Sequence, residues 1–389
     1  MFHITETQLK NIKKNSILPD SYFVSKYHFS PYRACNHGCV YCDGRSEKYY
    51  VPGDFERNIE ARINTPELLN TFLHKTREKG IISISSGVSD AYQPPEAKLK
   101  IMPDIAKVII KHKYPAMVLT KSSLILRDID LWKEVNSLSS FTLLVSLTSL
   151  DENLIKKFEP NASLVSERLE IIKQFKEAGI KVGVLAMPFL PYITDTKNNI
   201  NSLLTKMKQL SVDVVFPGIL TLRPGRQKNF FLNHLATISP ELISKYNHLY
   251  SENRISGSPK KEYIHSVMKI YSNLSTKFKI PEQMPHYMYH NQFQKYDELY
   301  ILLSHMIPLY RNKGVNVAPL IDAFKKYEIW LIKQKKILNR NKKNGNHLDE
   351  LLINSFYLND FNQILQNDKL FYFLKPIILE NKCFNENKM

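Results

Sequence analysis

The chain alternates between short apolar runs and longer stretches in which apolar residues recur every three or four positions. The short runs are "SYFVSKYHF" (21–29), "IISIS" (81–85), "AMVLT" (116–120), "FTLLVSL" (141–147), "IKVGVLAM" (180–187) and "VDVVFPGIL" (212–220). They are rich in β-branched and aromatic residues and too short for helices, so each predicts a buried strand. Helical spacing fills the gaps, at 65–80 and around 101–112, 128–136, 163–178 and 198–209. In the first of these, "TPELLNTFLHKTREKG" offers Thr65 as N-cap, Pro66 at the first helical position and Gly80 beyond the end.

Strands alternating with helices predict an α/β fold, a parallel sheet with right-handed crossovers. Six units without an obvious seventh or eighth predict a partial (β/α)6 barrel, with the functional residues at the C-terminal ends of the strands. After about residue 235 the strand signal fades, and helical spacing returns over 296–314 and 319–338. "NRNKKNGNH" (339–347) reads as a link to a last helical segment. The expected organisation is an N-terminal segment over 1–20, the barrel over 21–235, and a mainly helical C-terminal extension over 236–389.

Composition narrows the class. Hydrophobic residues at 43% and charged residues at 23% are those of an ordinary globular protein, and 389 residues can bury one large core plus a smaller one. No run approaches the roughly 18 apolar residues of a membrane span, and "MFHITETQLKNIKKNS" lacks the apolar centre of a signal peptide. The expectation is a cytoplasmic protein with no membrane partner. A formal charge of +17 points to a polyanionic partner such as nucleic acid, because Lys and Arg gain affinity by releasing counterions from phosphates. The competing explanation is a compositional bias, since the chain is also rich in Asn and Ile.

The chemistry concentrates in "RACNHGCVYCDGR" (33–45). Cys35, Cys39 and Cys42 form a C-x3-C-x2-C pattern, and the fourth cysteine of the chain, Cys383, is far away. Thiols clustered in a reducing compartment indicate metal or redox chemistry rather than disulfides. A structural zinc would need a fourth ligand, from His37 or Cys383. A [4Fe–4S] cluster suits the set better, because three thiolates hold three irons and leave the fourth open to an external ligand.

This pattern, with Tyr41 before the last cysteine, resembles the radical S-adenosylmethionine (radical SAM) superfamily. "SPYRACNHGCVYCDGRS", "SSGVSDAYQPPE", "LTKSSLILRDIDLW" and "GVLAMPFLPYITDT" together resemble its spore photoproduct lyase-like, DNA photolyase-related branch, in order and spacing from about residue 20 to 230. The resemblance implies a [4Fe–4S] cluster on Cys35, Cys39 and Cys42, S-adenosylmethionine (SAM) as cofactor, and a flavodoxin- or ferredoxin-type electron donor. It implies an enzyme generating a 5′-deoxyadenosyl radical, with DNA as one substrate class and RNA, a peptide or a small molecule as alternatives. A non-catalytic nucleic-acid-binding protein with a structural metal is the alternative from outside enzymes.

Residue by residue, the resemblance implies cofactor contacts from Tyr41, Ser89, Asp90, Lys121, Ser146 and Arg168, with Lys121 pairing the SAM carboxylate. One departure stands out. Spore photoproduct lyases carry a hydrogen-donating cysteine before the S-D element, where this chain has Gly87. Tyr92 is the replacement donor that the sequence offers, although a tyrosine there is equally explained by packing. Three further features remain. Arg223, Arg226 and Lys228 after the sixth strand are candidates to grip phosphate, and the basic run 333–345 is a candidate nucleic-acid track. His286 and His290 have the i, i+4 spacing of metal ligands but no accompanying carboxylate motif, so they read as hydrogen-bonded histidines.

Overall fold

Strands covered on both faces should be apolar throughout, and Phe141–Ser146 is buried at all its positions. The computed structural model describes residues 2–14, 17–51, 53–85, 87–341 and 343–385. Among these it forms strands β1 (His3–Thr7), β2 (Lys13–Lys14), β3 (Tyr27–Phe29), β4 (Tyr32–Arg33), β5 (Asn58–Arg62), β6 (Ile82–Ile84), β7 (Ala116–Thr120), β8 (Phe141–Ser146), β9 (Lys181–Phe189) and β10 (Val214–Ile219). The main sheet runs β10-β9-β8-β7-β6-β3-β2. β3 and β6 to β10 are parallel, and β2 pairs antiparallel with β3 at one edge. This is the α/β partial barrel of six parallel strands that the alternation predicts, and a helical region follows it.

Two local expectations shift. The predicted strand over 21–29 shortens to Tyr27–Phe29 because Asp20 folds the segment before it: its Oδ1 accepts from the backbone N–H groups of Tyr22 and Phe23 at 2.8 and 3.3 Å. An aspartate that satisfies nearby backbone donors competes with the sheet ladder. The helix expected at 65–80 spans Thr65–Lys75, with Asn64 rather than Thr65 as N-cap. Gly80 does not end it. Instead Gly80 admits the Lys26 side chain, which a Cβ there would meet at 2.7 Å.

A second, small sheet, β1-β5-β4, has no clear signal in the sequence. It matters because β4 runs straight into the cysteine loop, and its pairing with β5 fixes where that loop starts.

The boundary expected after residue 235 falls inside helix Arg226–Ile238. Helix Lys261–Phe278 also packs on the barrel, where the Tyr271 hydroxyl donates to the Val215 carbonyl at 2.8 Å. A separate core forms farther on, from Lys295–Asn312, Ala318–Arg340, Asn346–Tyr357 and Asp368–Leu379, around Tyr296, Tyr327 and Phe356. Buried charges join it to the barrel: Lys26 pairs with Glu78 at 2.6 Å and Asp297 at 2.5 Å, and Lys335, itself paired with Asp297 at 2.5 Å, reaches Glu78 at 3.6 Å. Such desolvated pairs specify a docking geometry more than they add net stability. Among the described residues, no helix is long and apolar enough to cross a membrane.

Candidate functional site

The cysteine loop is a series of tight turns. The N–H of Gly38 bonds the Cys35 carbonyl and that of Cys42 bonds the Cys39 carbonyl, at 3.3 and 3.2 Å. Gly38 sits at φ +66°, a conformation that costs a side-chain-bearing residue energy, and a Cβ there would press on Glu56 and Asn161. Arg45 holds the loop from beneath, donating to the carbonyls of Cys39 at 3.0 Å and Gly38 at 2.8 Å. These bonds turn the thiols of Cys35, Cys39 and Cys42 toward one cavity of about 570 Å3 at the C-terminal ends of the parallel strands.

The same cavity is lined by Tyr41, Ser89, Asp90, Lys121 and Ser146. Asp90 is a junction: it accepts from Thr120 Oγ1, Lys121 N and Tyr92 N, each at 2.8 Å, and lies 3.1 Å from His37 Nε2. Burial opposes ionisation of Asp90, but His37 and these donors outweigh it and hold the carboxyl below its usual range. His37 Nδ1 lies 3.2 Å from the Asn161 carbonyl, so both ring nitrogens fix the loop instead of facing the thiols as a fourth ligand. Ser89 Oγ donates to the Ala34 carbonyl at 3.1 Å, a second tie from the loop after β6 to the residue before Cys35.

Lys121 is half-buried, with Nζ 5.9 Å from the centre of the Tyr41 ring. Burial disfavours its charge, yet the negative charge that Cys39 bears as a thiolate and that of ionised Glu159 more than offset this and raise the ammonium above the ordinary lysine value. The thiols behave oppositely. Burial pushes all three up, Cys39 to about 12, so the free thiols stay protonated at neutral pH, and binding a metal would release their protons to solvent.

Two expected residues stand elsewhere. Arg168 does not line the cavity; its guanidinium is buried, donates to the carbonyls of Ser163 at 2.9 Å and Ser146 at 3.1 Å, and pairs with Glu159. Tyr92 is fully buried beneath the loop, and its hydroxyl accepts from Trp132 Nε1 at 2.7 Å. It packs in the barrel core and does not line the cavity, the placement that the packing explanation expects. Cys383 lies at the opposite end of the barrel, beside His286 and the residues around the start of β9.

The loop charges after β10 are also engaged. Arg223 pairs with Asp43 at 2.7 Å, Arg226 donates to the Arg45 carbonyl at 2.8 Å, and Lys228 donates to Tyr250 O and Asn253 Oδ1. Arg223 and Arg226 brace the turn after Cys42, and Lys228 ties its helix to the segment around Tyr250 and Asn253. In the basic run 333–345, Lys335 is buried against Asp297, and Lys342 lies outside the described residues.

The residue that sequence reasoning missed is Glu159. It follows the helix Glu152–Phe158 in "KKFEPNAS", where a carboxylate beside proline looks like a solvated loop charge. In the fold it accepts from the Tyr41 hydroxyl and pairs with Arg168, fully buried.

The comparisons with known proteins bear on the fold and the family. The family model described as the radical SAM superfamily matches residues 29–201. An uncharacterized protein of Methanocaldococcus jannaschii is 31% identical over 232 residues, covering 59% of this chain and 84% of that protein. An uncharacterized protein of Mycobacterium tuberculosis is 29% identical over 255 residues, covering 64% and 73%. Among solved structures, a spore photoproduct lyase mutant with bound AdoMet and dinucleoside spore photoproduct matches with a TM-score of 0.53 at 14% identity, over 71% of this chain and 79% of that one. At that identity the shared property is the fold. A cysteine loop at the mouth of six parallel strands, matched by family and by fold, leads to one conclusion: the chain belongs to the radical SAM superfamily of enzymes.

Proposed function

We propose that Cys35, Cys39 and Cys42 hold a [4Fe–4S] cluster, that SAM binds in the adjoining cavity, and that the enzyme makes a substrate radical on nucleic acid. The observation that carries this reading is the convergence of three thiols, Lys121 and Ser146 on one cavity, with His37 occupied by Asp90 and Asn161. The donor set fits: three thiolates satisfy three irons, and a cavity of about 570 Å3 is within the usual size of a cofactor site. When bound, the cluster supplies an open iron and the electron that cleaves SAM to the 5′-deoxyadenosyl radical.

The chain's own residues have plainer tasks. Lys121 offers a charge-assisted hydrogen bond to the SAM carboxylate. Tyr41, Ser89, Asp90 and Ser146 shape the walls, and Asp90 joins the cysteine loop to the backbone of Lys121. Arg168 acts at one remove, as a positioning residue that holds Ser146 and Glu159.

The charge of +17 supports nucleic acid as the substrate class. Gly87 in place of a donor cysteine argues against reversal of spore photoproduct as the natural reaction. A flavodoxin- or ferredoxin-type reductant in the cytoplasm completes the scheme. The test is to incubate reduced, reconstituted protein with SAM, with and without DNA or RNA, and follow 5′-deoxyadenosine. Formation stimulated by nucleic acid is the expected result, and a fully loaded cluster that cleaves no SAM would overturn the reading.

A further inference from the structure

The sequence leaves His286 and His290 without a carboxylate and Cys383 without a role, and the fold brings all of them together. Residues 286–289 make one helical turn, closed by a bond from the His290 N–H to the His286 carbonyl at 2.8 Å, and the two rings lie 4.9 Å apart. Glu298 reaches them from the helix Lys295–Asn312. Its Oε1 is 2.8 Å from both His286 Nε2 and His290 Nδ1, while its Oε2 accepts from the Asn291 N–H at 2.9 Å. From the other side the chain after the last helix brings in Cys383, whose Sγ is 3.6 Å from His286 Nδ1.

We propose that His286, His290 and Cys383 form a second metal site, for zinc or a similarly thiophilic divalent cation, at the end of the barrel opposite the cysteine loop. The site stands apart from the radical chemistry and does not depend on it.

Three observations carry the assignment. One ligand atom from each residue lies within 4.8 Å of the other two, so a contraction of about an ångström closes the set on one ion. The spacing of Cys383 Sγ and His286 Nδ1 already suits the metal: a tetrahedral zinc with Zn–S of about 2.3 Å and Zn–N of about 2.0–2.1 Å separates sulfur and nitrogen by about 3.5–3.6 Å. Finally, Glu298 sits where an orienting carboxylate belongs. An ionised oxygen shared by two imidazoles takes the N–H from each, which leaves His286 Nδ1 and His290 Nε2 as the nitrogens that can bind metal.

The ligand chemistry selects the ion. One thiolate and two imidazoles favour a borderline-soft cation over magnesium or calcium, which prefer oxygen. Cys383 is exposed and lines a groove of about 1430 Å3, so the ion has a route in and the fourth position is open to water. Binding exchanges two contacts. His286 Nδ1 gives up the Phe384 N–H at 2.8 Å, and His290 Nε2 gives up the Asn381 carbonyl at 3.1 Å, the hydrogen it donates there and the Cys383 thiol hydrogen both leaving to solvent as protons. The metal then pins residues 381–385 to the base of the barrel.

The experiment uses the full chain with Cys35, Cys39 and Cys42 replaced by Ala, titrated with Zn2+ against a chromophoric chelator and with Co2+ by absorption. One equivalent of zinc and a thiolate-to-cobalt charge-transfer band are expected. Cys383→Ser should abolish the band and weaken zinc binding at least tenfold, and Glu298→Gln should weaken it by about 10- to 100-fold. If the triple variant fails to fold, zinc counted in cluster-loaded wild-type protein against Cys383→Ser gives the same comparison. Absence of stoichiometric zinc, or equal affinity in Cys383→Ser, overturns the proposal and leaves a closed hydrogen-bond network.

Discussion

Tyr41 donates its phenol hydrogen to Glu159, a residue 118 positions away. Glu159 pairs with Arg168, and Arg168 donates to the carbonyl of Ser146 at the end of β8. One buried relay therefore sets the positions of Cys39, Cys42 and Ser146 together. The relay is fully desolvated, so it tolerates the loss of neither charge.

Glu159→Gln leaves the Arg168 guanidinium buried without its counter-charge. Breaking a buried pair in this way costs about 3–5 kcal/mol, so urea unfolding should show a loss of that size. Arg168→Met should cost a similar amount. A change under about 1 kcal/mol in both variants would show that the relay is not a structural tie.

Anaerobically reconstituted protein should hold about four iron and four sulfide per chain. Single replacement of Cys35, Cys39 or Cys42 by Ala should abolish the cluster, whereas Cys383→Ala should leave iron unchanged, because Cys383 lies at the other end of the barrel. Iron loss in the Cys383 variant would mean that the ligand set has been misassigned.

Lys121→Ala removes one charge-assisted hydrogen bond, worth on the order of 1.5–3 kcal/mol. SAM affinity measured by equilibrium dialysis should fall about tenfold or more, with iron content unaffected. Equal affinity for SAM would remove Lys121 from the cofactor site.

Gly87 lines the cavity, and a Cβ built on it meets nothing within 4 Å. Gly87→Cys should therefore fold with a stability change within about 1 kcal/mol and present a thiol that a small alkylating reagent labels. Wild-type protein should turn over little or no spore photoproduct and bind nucleic acid with an affinity that falls steeply between about 50 and 200 mM salt. Efficient repeated reversal of the dimer by the wild type would require a hydrogen donor other than Tyr92, which is buried against Trp132.

Asp349, at the start of helix Asn346–Tyr357, is pushed up to about 7 by burial, which the N–H of Tyr296 only partly offsets. An acid with a raised folded pKa favours folding below its unfolded value, near 3.8, and loses that contribution as pH rises through about 7. Asp349→Asn should accordingly stabilise the protein at pH 8 and have an effect that shrinks toward pH 4. Denaturant midpoints across that range check the sign, and a stabilisation larger at pH 4 would contradict it.

The sequence by itself determined the barrel and its three-cysteine loop. Strands such as Ala116–Thr120 and helices such as Ile101–His112 fall where the apolar periodicity places them, because burial on one or both faces dictates that periodicity. The C-x3-C-x2-C spacing is local, so one short segment carries the whole thiol set. Tertiary structure alone decided the partners. No periodicity marks that Glu159 meets Tyr41, that Asp90 meets His37, or that Cys383 meets His286, since these pairs are joined by the crossing of elements far apart in the chain. It also decided which charges are used: Arg168, Lys335 and Arg223 look like any surface cations in sequence, and only the packing around them exchanges water for a carboxylate or a carbonyl. Tyr92 shows the same limit, because the position of its side chain relative to the sheet placed its hydroxyl beneath the loop, in the core, where the sequence allowed either side.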